Sequence, residues 1–265
     1  MSITIGSKFA FHLNQRTDAL LQFEVAALPE QHVVDSETQI GGGIEFTKVP
    51  AQDDIGERLW LRATGRIEVN YRAKVETDRM LAPLDQLDAL PLKDLPGEAV
   101  QYLFDSRYCR ADAYQTLVES EFAGTQGGTR IAAIRDWIAN SFEYSPGASD
   151  VGTDASDSFI ARRGICRDYA HVLILLARAS AIPARYVACY APGVTPQDFH
   201  AIAEVFLADP EIQGGGTWQL VDATGMADLS KAAKIGIGRD AADVSFLTTF
   251  GPMQFLSSSV HVTED

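Results

Sequence analysis

Hydrophobic and polar residues alternate along much of the first 77 residues of the chain. Strand-like segments occur at about 19–26, 38–47, 59–64 and 66–74. Alternation with a period of two is the pattern of a half-buried β-strand. The sequence therefore predicts an antiparallel, β-rich domain over residues 1–82.

A proline-marked segment separates this pattern from the next one. Prolines at positions 83, 91 and 96 exclude a long helix, because proline removes a backbone donor and clashes with the preceding turn. Beyond this linker, apolar residues recur at helical spacing over 111–122 and 129–142. We therefore predict a second domain over residues 97–265 that begins with helices.

The second predicted domain continues with one more helix and several strands. The helix begins at Cys166, shortly after Gly164, and contains no proline before Pro183. Strands are predicted at 184–190, 199–207, 217–222 and 255–262. The predicted fold class is α+β, with an N-terminal antiparallel β module followed by a helix that packs on a second antiparallel sheet.

Two of these strands bring a histidine and an aspartate together. A glycine-rich stretch at 214–216 lies between them, and the pattern predicts a hairpin. If Val205 pairs with Thr217, His200 stands directly opposite Asp222, with Cβ atoms about 5 Å apart. The Asp222 carboxylate would then hold the His200 imidazole in one tautomer.

Cys166 supplies the third group of a candidate triad. Unpaired N–H groups and the helix dipole favour a thiolate at the start of a helix. Nucleophile, base and orienting acid are recognised by their roles and not by their order along the chain. Only 34 residues separate Cys166 from His200. Papain-like enzymes have their histidine about 130–150 residues after the cysteine, so that architecture is disfavoured.

Composition bears on the partners and the compartment. The chain has 265 residues, of which 46% are hydrophobic, and a net charge of −14. Such acidity argues against nucleic acid or an anionic membrane as a partner. Three cysteines, at 109, 166 and 189, form neither a disulfide framework nor a metal-binding spacing. The N-terminus lacks the pattern of a secretory signal, so we expect a cytoplasmic protein with reduced thiols.

Several motifs resemble those of the transglutaminase-like superfamily, in particular its bacterial cysteine protease branch. The matching blocks lie at 102–109 (YLFDSRYC), 142–147 (FEYSPG), 164–171 (GICRDYAH) and 182–186 (IPARY). The resemblance implies a transglutaminase-like core with Cys166 as nucleophile, His200 as base and Asp222 as orienting acid. It implies no cofactor, and nothing in the sequence is similar to the calcium sites of the animal cross-linking enzymes.

Three departures from the family pattern concern the cleft and not the triad. Ile202 stands where the family usually has a tryptophan, Ala223 replaces the proline of Asp-Pro-Thr, and Cys189 replaces a glycine. Tyr144 and Trp218 are the aromatic candidates for lining the substrate cleft, with burial in the core as the other role open to each.

Other residues near these motifs have structural alternatives. Cys109 and Cys189 are predicted to be buried in the core, as free cysteines often are. His171 lies five residues after Cys166, so on a helix it points away from the sulfur, and we predict a structural role. The roles of three charged residues stay open between the site, the core and the surface: Arg167, Asp168 and Glu204.

The triad and the resemblance predict acyl transfer through a thioester on Cys166. Water as the acceptor gives a peptidase or amidase with a peptide or amide substrate, whereas a lysine amine gives a protein-glutamine γ-glutamyltransferase. We predict hydrolysis, because Ile202 removes the tryptophan that would help to exclude water beside His200. A non-catalytic interaction module is the third alternative, which loss of a triad residue would mark; here the triad is intact.

Overall fold

The computed structural model describes residues 2–42, 44–209, 211 and 215–265. The strands are β1 (Ser2–Leu21), β2 (Gln31–Ile40), β3 (Phe46–Pro50), β4 (Glu57–Thr77), β5 (Glu143–Tyr144), β6 (Arg163–Gly164), β7 (Ala184–Tyr190), β8 (His200–Ala208), β9 (Gly216–Val221), β10 (Ala233–Gly238), β11 (Leu247–Thr249) and β12 (Met253–Glu264). The α-helices are α1 (Gly97–Val100), α2 (Gln115–Glu121), α3 (Gly127–Ser141), α4 (Ala155–Ala161) and α5 (Cys166–Ala179). Within the described ranges, no helix is both long and apolar enough to cross a membrane.

The first sheet is built around the long antiparallel pair β1 and β4. Its order is β11-β1-β4-β2, with β12 also paired to β1 and β3 to β4. Alternate side chains, such as Ile3 and Ile5 in β1 or Ile67 and Val69 in β4, are buried on one face. The α+β fold class with an N-terminal antiparallel sheet is confirmed, although β1 begins at Ser2, far before the predicted segment.

The chain returns to this first sheet at its C-terminal end. β12 pairs with β1 over a register that runs from Ile3 opposite Glu264 to Leu13 opposite Met253. The predicted boundary, which assigned residues 97–265 to one domain, does not follow this pairing. Alternation within a strand shows which face is buried, but it does not show which neighbour the strand pairs with.

The second sheet carries the helical layer and has the order β10-β7-β8-β9. α5 packs on β7 and β8, while α2, α3 and α4 pack against the rest of α5. Nearly all side chains of α5 are buried, including polar ones such as His171 and Arg178. A helix that is buried on all sides is the centre of a core and not a surface element. The linker between the halves forms only 3₁₀ turns before α1, as its prolines predict.

The hairpin of β8 and β9 forms with a register two residues away from the predicted one. Leu207 lies opposite Thr217, and Val205 lies opposite Gln219. The predicted pairing of Val205 with Thr217 is therefore wrong. A shift of two residues keeps every side chain on its original face, so alternation cannot distinguish the two registers. Of the predicted glycine-rich tip, residue 214 lies outside the described residues.

The two sheets share a hydrophobic core. Tyr190 of β7 and Ile235 of β10 pack in one cluster with buried residues of β1 and β4. The Tyr190 hydroxyl donates a hydrogen bond to the Phe23 carbonyl, with an oxygen–oxygen distance of 2.8 Å. Its ring stacks against that of Tyr71, with 6.3 Å between the ring centres. The β module is thus packed directly against the sheet that carries His200.

Candidate active site

Cys166 is the first residue of α5, and a local network fixes this helix start. The buried Asp168 carboxylate accepts a hydrogen bond from the Ile165 N–H at 2.8 Å, which satisfies one of the unpaired donors of the first turn. It also accepts bonds from Ser149 and Arg167. A Cβ at position 164 would lie 2.6 Å from the Asp168 carboxylate, so the turn requires Gly164. Asp168 and Arg167 are therefore part of the framework that presents Cys166.

Cys166 and His200 both line a cleft of about 640 Å³. Cys166 is 9% exposed, so little of it is open to solvent. The sulfur is 3.9 Å from the Phe199 carbonyl oxygen, to which the thiol donates. Because Phe199 directly precedes β8, this contact places the start of α5 beside the start of that strand, where His200 lies.

His200 and Asp222 are hydrogen-bonded despite the changed register. His200 Nε2 lies 3.0 Å from Asp222 Oδ2. The carboxylate is held on its other side by Thr224, whose N–H and hydroxyl donate to Oδ1 at 2.8 Å and 2.7 Å, and by the Ala227 N–H, which donates to Oδ2 at 2.9 Å. Burial opposes ionisation of Asp222, but these hydrogen bonds outweigh it and lower its pKa. Asp222 is thus a fixed anion.

The environment of His200 favours its protonated form. Burial acts against the charge, but the hydrogen bond to Asp222 and the interaction with the Cys166 thiol raise the pKa of His200 to about 9. The other ring nitrogen, Nδ1, is buried and makes no conventional hydrogen bond to any residue that the structure describes. Asp222 therefore holds the ring through Nε2, and Nδ1 is the ring nitrogen that Asp222 does not contact.

Tyr144 lies beside the nucleophile. The short parallel pair β5 and β6 places Tyr144 opposite Gly164, two residues before Cys166. Burial and the Cys166 thiol raise the pKa of Tyr144 to about 12, while a hydrogen bond with the Cys166 backbone acts in the opposite direction. The hydroxyl therefore stays protonated at neutral pH beside Cys166, although Tyr144 is not among the residues that line the 640 Å³ cleft.

Trp218 does not line this cleft. Its ring lies 3.9 Å below the Arg185 guanidinium and packs edge-on against Tyr102, with 5.3 Å between ring centres. Trp218 and Arg185 line a separate cavity of about 800 Å³, together with Glu204 and Lys234. The structure thus brings Tyr144 to Cys166 and leaves Trp218 apart, because β9 points this side chain into the neighbouring cavity.

The aromatic surface of the cleft comes from a part of the chain that carries no motif. Phe199 stacks on Phe246, with 4.8 Å between ring centres and 13° between planes, and Phe246 meets Phe255 edge-on at 5.9 Å. We call these three residues the aromatic wall. Ile202, by contrast, is buried within the second sheet and does not line the cleft. The expectation that a tryptophan at this position would exclude water from the cleft is therefore not supported by the position of Ile202.

The remaining candidates have structural surroundings. His171 lies between Tyr108 and Tyr186, and its Nε2 accepts the Ala241 N–H at 3.1 Å. Burial lowers the pKa of His171 to about 3, so it is a neutral core residue. Cys109 and Cys189 are completely buried. Among the described residues, no group of three or more His, Cys, Asp or Glu side chains is arranged to hold a metal ion.

Residues missed by the sequence reasoning are of two kinds. Thr224 stands in the Asp-Ala-Thr motif, so its role in holding Asp222 could have been found from the short spacing. Phe246 and Phe255 had no such signal, because they reach the cleft only through the pairing of the C-terminal strands with β1.

Comparisons with known proteins indicate the family of the chain. Residues 115–223 match the transglutaminase-like superfamily. A crystal structure of a "putative cysteine protease" from Cytophaga hutchinsonii is 32% identical and superposes with a TM-score of 0.92, covering 99% of this chain and 90% of that one.

Shorter similarities exist to two mycobacterial proteins described only as uncharacterized. One from Mycobacterium leprae is 27% identical over 119 residues, covering 43% of this chain and 41% of its own length. One from Mycobacterium tuberculosis is 30% identical over 118 residues, covering 40% and 37%. The match thus spans about two fifths of these curated relatives. The whole-length similarity to the Cytophaga structure and the match over 115–223 show that the chain belongs to the transglutaminase-like superfamily.

Proposed function

We propose that the protein is a cysteine-dependent hydrolase that cleaves a peptide or amide bond through a triad of Cys166, His200 and Asp222. The observation that supports this proposal is the position of the His200 ring, with Nε2 on the Asp222 carboxylate at 3.0 Å and the Cys166 thiol as its other polar neighbour. Activated thiols need such a base, held in turn by a third group.

The proposed reaction has two halves. The Cys166 thiolate attacks the substrate carbonyl carbon, the C–N bond breaks, and protonated His200 gives its Nδ1 proton to the leaving amine. A thioester remains on Cys166. Neutral His200 then takes a proton from water as the water attacks the thioester, and the acid leaves as the Cys166 thiolate and protonated His200 are restored.

Two donors are suited to the oxyanion that forms in both halves. The Cys166 N–H belongs to the first turn of α5 and has no partner within the helix; its hydrogen bond with the Tyr144 hydroxyl would be exchanged for one to the oxyanion. The Tyr144 hydroxyl lies on β5 beside it and remains protonated at neutral pH. Donors fixed in advance, where charge develops, commonly make the largest electrostatic contribution to acyl transfer.

The cleft supports water as the acceptor. The residues that line it include Met253 and Phe255, which are 38% and 43% exposed, so solvent reaches this part of the cleft. The aromatic wall is the one feature that favours the alternative, a protein-glutamine γ-glutamyltransferase, because apolar rings can hold a lysine side chain and exclude water. Direct competition between water and an amine distinguishes the two.

Cys166→Ala and His200→Ala are expected to abolish hydrolysis of a fluorogenic peptide library, with losses on the order of 10⁴-fold or more, and Asp222→Ala to lose less. Cys109→Ala and the exposed His32→Ala are the matched controls and should retain activity. Adding a labelled primary amine at millimolar concentration should give little incorporation. Incorporation faster than release of free acid would reverse the choice of acceptor, and activity in Cys166→Ala would exclude the triad.

A further inference from the structure

We infer that the aromatic wall is the subsite for a large apolar side chain, aromatic or long aliphatic, of a peptide substrate. The inference deepens the proposed function, since it rests on the Cys166 cleft being the place where an acyl substrate binds. It names what the substrate must present and which residues select it: Phe246 and Phe255.

The wall begins at the nucleophile. The Phe199 carbonyl accepts the Cys166 thiol, and the Phe199 ring stacks on Phe246. Phe246 in turn meets Phe255, which lies on β12 at the outer side of the cleft. A row of three rings therefore runs from Phe199, the residue whose carbonyl contacts the Cys166 sulfur, to the partly exposed Phe255. A side chain close to the scissile bond would lie along this row.

The outer part of the wall exposes apolar surface that a substrate can cover. Phe255 and Met253 stay partly exposed in the free protein, and Val244 and Leu247 line the same cleft. Apolar surface that is removed from water on binding makes the free energy of binding more favourable, in proportion to its area. Flexible methionine also adapts to side chains of different shape.

Charge in the cleft does not favour a charged side chain over an apolar one. Arg107 and Arg167 line it together with Asp198, so both signs are present. Arg167 is already paired with Asp168 at 3.0 Å. The apolar rings are thus the feature that distinguishes this cleft, and they favour an uncharged, bulky side chain.

The selecting residues belong to the first sheet and not to the core that carries the triad. Phe246 and Phe255 lie beyond the segment 115–223 that matches the superfamily. They reach the cleft because β11 and β12 pair with β1. The β module therefore supplies substrate selection, while the second sheet and α5 supply the chemistry.

The segment between β11 and β12 provides a matched control. Phe250 lies between β11 and β12, is 63% exposed and packs on Trp60 with 5.3 Å between ring centres. It does not line the Cys166 cleft. Phe250→Ala and Phe255→Ala remove the same atoms from two partly exposed positions, and only the second removes them from the proposed subsite.

The test compares alkylation of Cys166 by N-methyl iodoacetamide and by N-(2-phenylethyl) iodoacetamide, with each rate divided by that of the same probe with free cysteine. Mass spectrometry follows Cys166, and the buried Cys109 and Cys189 serve as internal references. We expect the phenylethyl probe to react about tenfold faster, as burial of much of a phenyl group implies. Phe255→Ala should lower this ratio at least threefold, and Phe250→Ala should leave it unchanged.

Equal normalised rates for the two probes, or equal losses in Phe250→Ala and Phe255→Ala, would overturn the inference. An N-octyl probe that reacts far faster than the phenylethyl probe would also overturn it, because it would indicate a lipid acyl chain and not a peptide side chain. Alkylation requires no turnover. Selectivity without hydrolysis would therefore support the subsite and contradict the hydrolase, and hydrolysis without selectivity would do the reverse.

Discussion

His200 combines burial, which disfavours a charge, with two neighbours that favour it. The hydrogen bond to Asp222 and the contact with the Cys166 thiol outweigh burial and raise its pKa to about 9. A pKa that is higher in the folded state means that protonated His200 stabilises the fold fully below its unfolded value of about 6.5. This contribution disappears as the pH rises through about 9.

The same shift predicts the alkaline limit of activity. Deprotonation of His200 removes the proton needed by the leaving amine, so kcat/KM should fall above about pH 9. Asp222→Asn removes the negative charge beside Nε2, so the fall in kcat/KM should occur at lower pH. The measurement is a pH profile of kcat/KM for both proteins, with circular dichroism at each pH to show that they remain folded. An alkaline limb at the same pH in both would contradict the role of Asp222.

Strand β8 carries a second buried charge, four residues after His200. The Glu204 carboxylate accepts from Arg185 Nε of β7 at 2.7 Å and pairs with Lys234 of β10. Burial would raise the pKa of Glu204, but Lys234 and Arg185 lower it to about 2. One carboxylate thus links three adjacent strands of the second sheet.

Glu204→Ala should destabilise the fold strongly, because it leaves Arg185 and Lys234 buried without their shared partner. The expected loss in the free energy of unfolding is about 3–5 kcal/mol in urea titrations at pH 7. Glu68→Ala, which removes an exposed pair with Arg66, should change it by about 0.5 kcal/mol or less.

The pH dependence of this contribution follows from the lowered pKa of Glu204. It should be complete above about pH 5 and be lost as the pH falls toward 2, since a lowered carboxyl pKa stabilises only the ionised form. A loss below about 1 kcal/mol in Glu204→Ala would show that the charges are not coupled.

The sequence predicted the helices and strands better than it predicted which strands pair and in which register. Period-two alternation located β8, helical periodicity located α3, and the proline-free apolar segment after Gly164 located α5. The register of β8 and β9 was wrong by two residues, since alternation is the same in both registers. Gly216 helps to fix the observed register. A Cβ at this position would lie 2.6 Å from the Phe206 ring and 2.7 Å from the Leu207 carbonyl oxygen.

The whole molecule is joined by the core that the two sheets share. Tyr190 of β7 packs between Tyr71 of β4 and Phe199. Neither sheet can expose this surface without losing packing in the other. The β module and the helical half are therefore expected to unfold as one cooperative unit.

Phe122→Ala tests this cooperativity, because Phe122 packs on Trp137 in the helical layer, away from the first sheet. It should lower the free energy of exchange for amides of both β4 and α5 by the same amount, about 3–5 kcal/mol, in native-state hydrogen exchange. Tyr190→Ala, at the boundary, should do the same. Unchanged protection of β4 in Phe122→Ala would show that the two halves unfold independently.

The sequence by itself determined the fold class and the three residues of the candidate triad. Cys166 heads a helix, His200 begins β8, and Asp222 directly follows β9, so local pattern was enough to propose them. Their facing arrangement survived an incorrect register because a shift of two residues conserves the face.

Only the tertiary structure decided the surroundings of that triad. It placed Trp218 in another cavity, buried Ile202, and brought Phe246 and Phe255 to the cleft through strands that pair with the N-terminal end of the chain. The physical reason is that periodicity records whether a side chain is buried, whereas the partner it meets depends on pairings between distant segments.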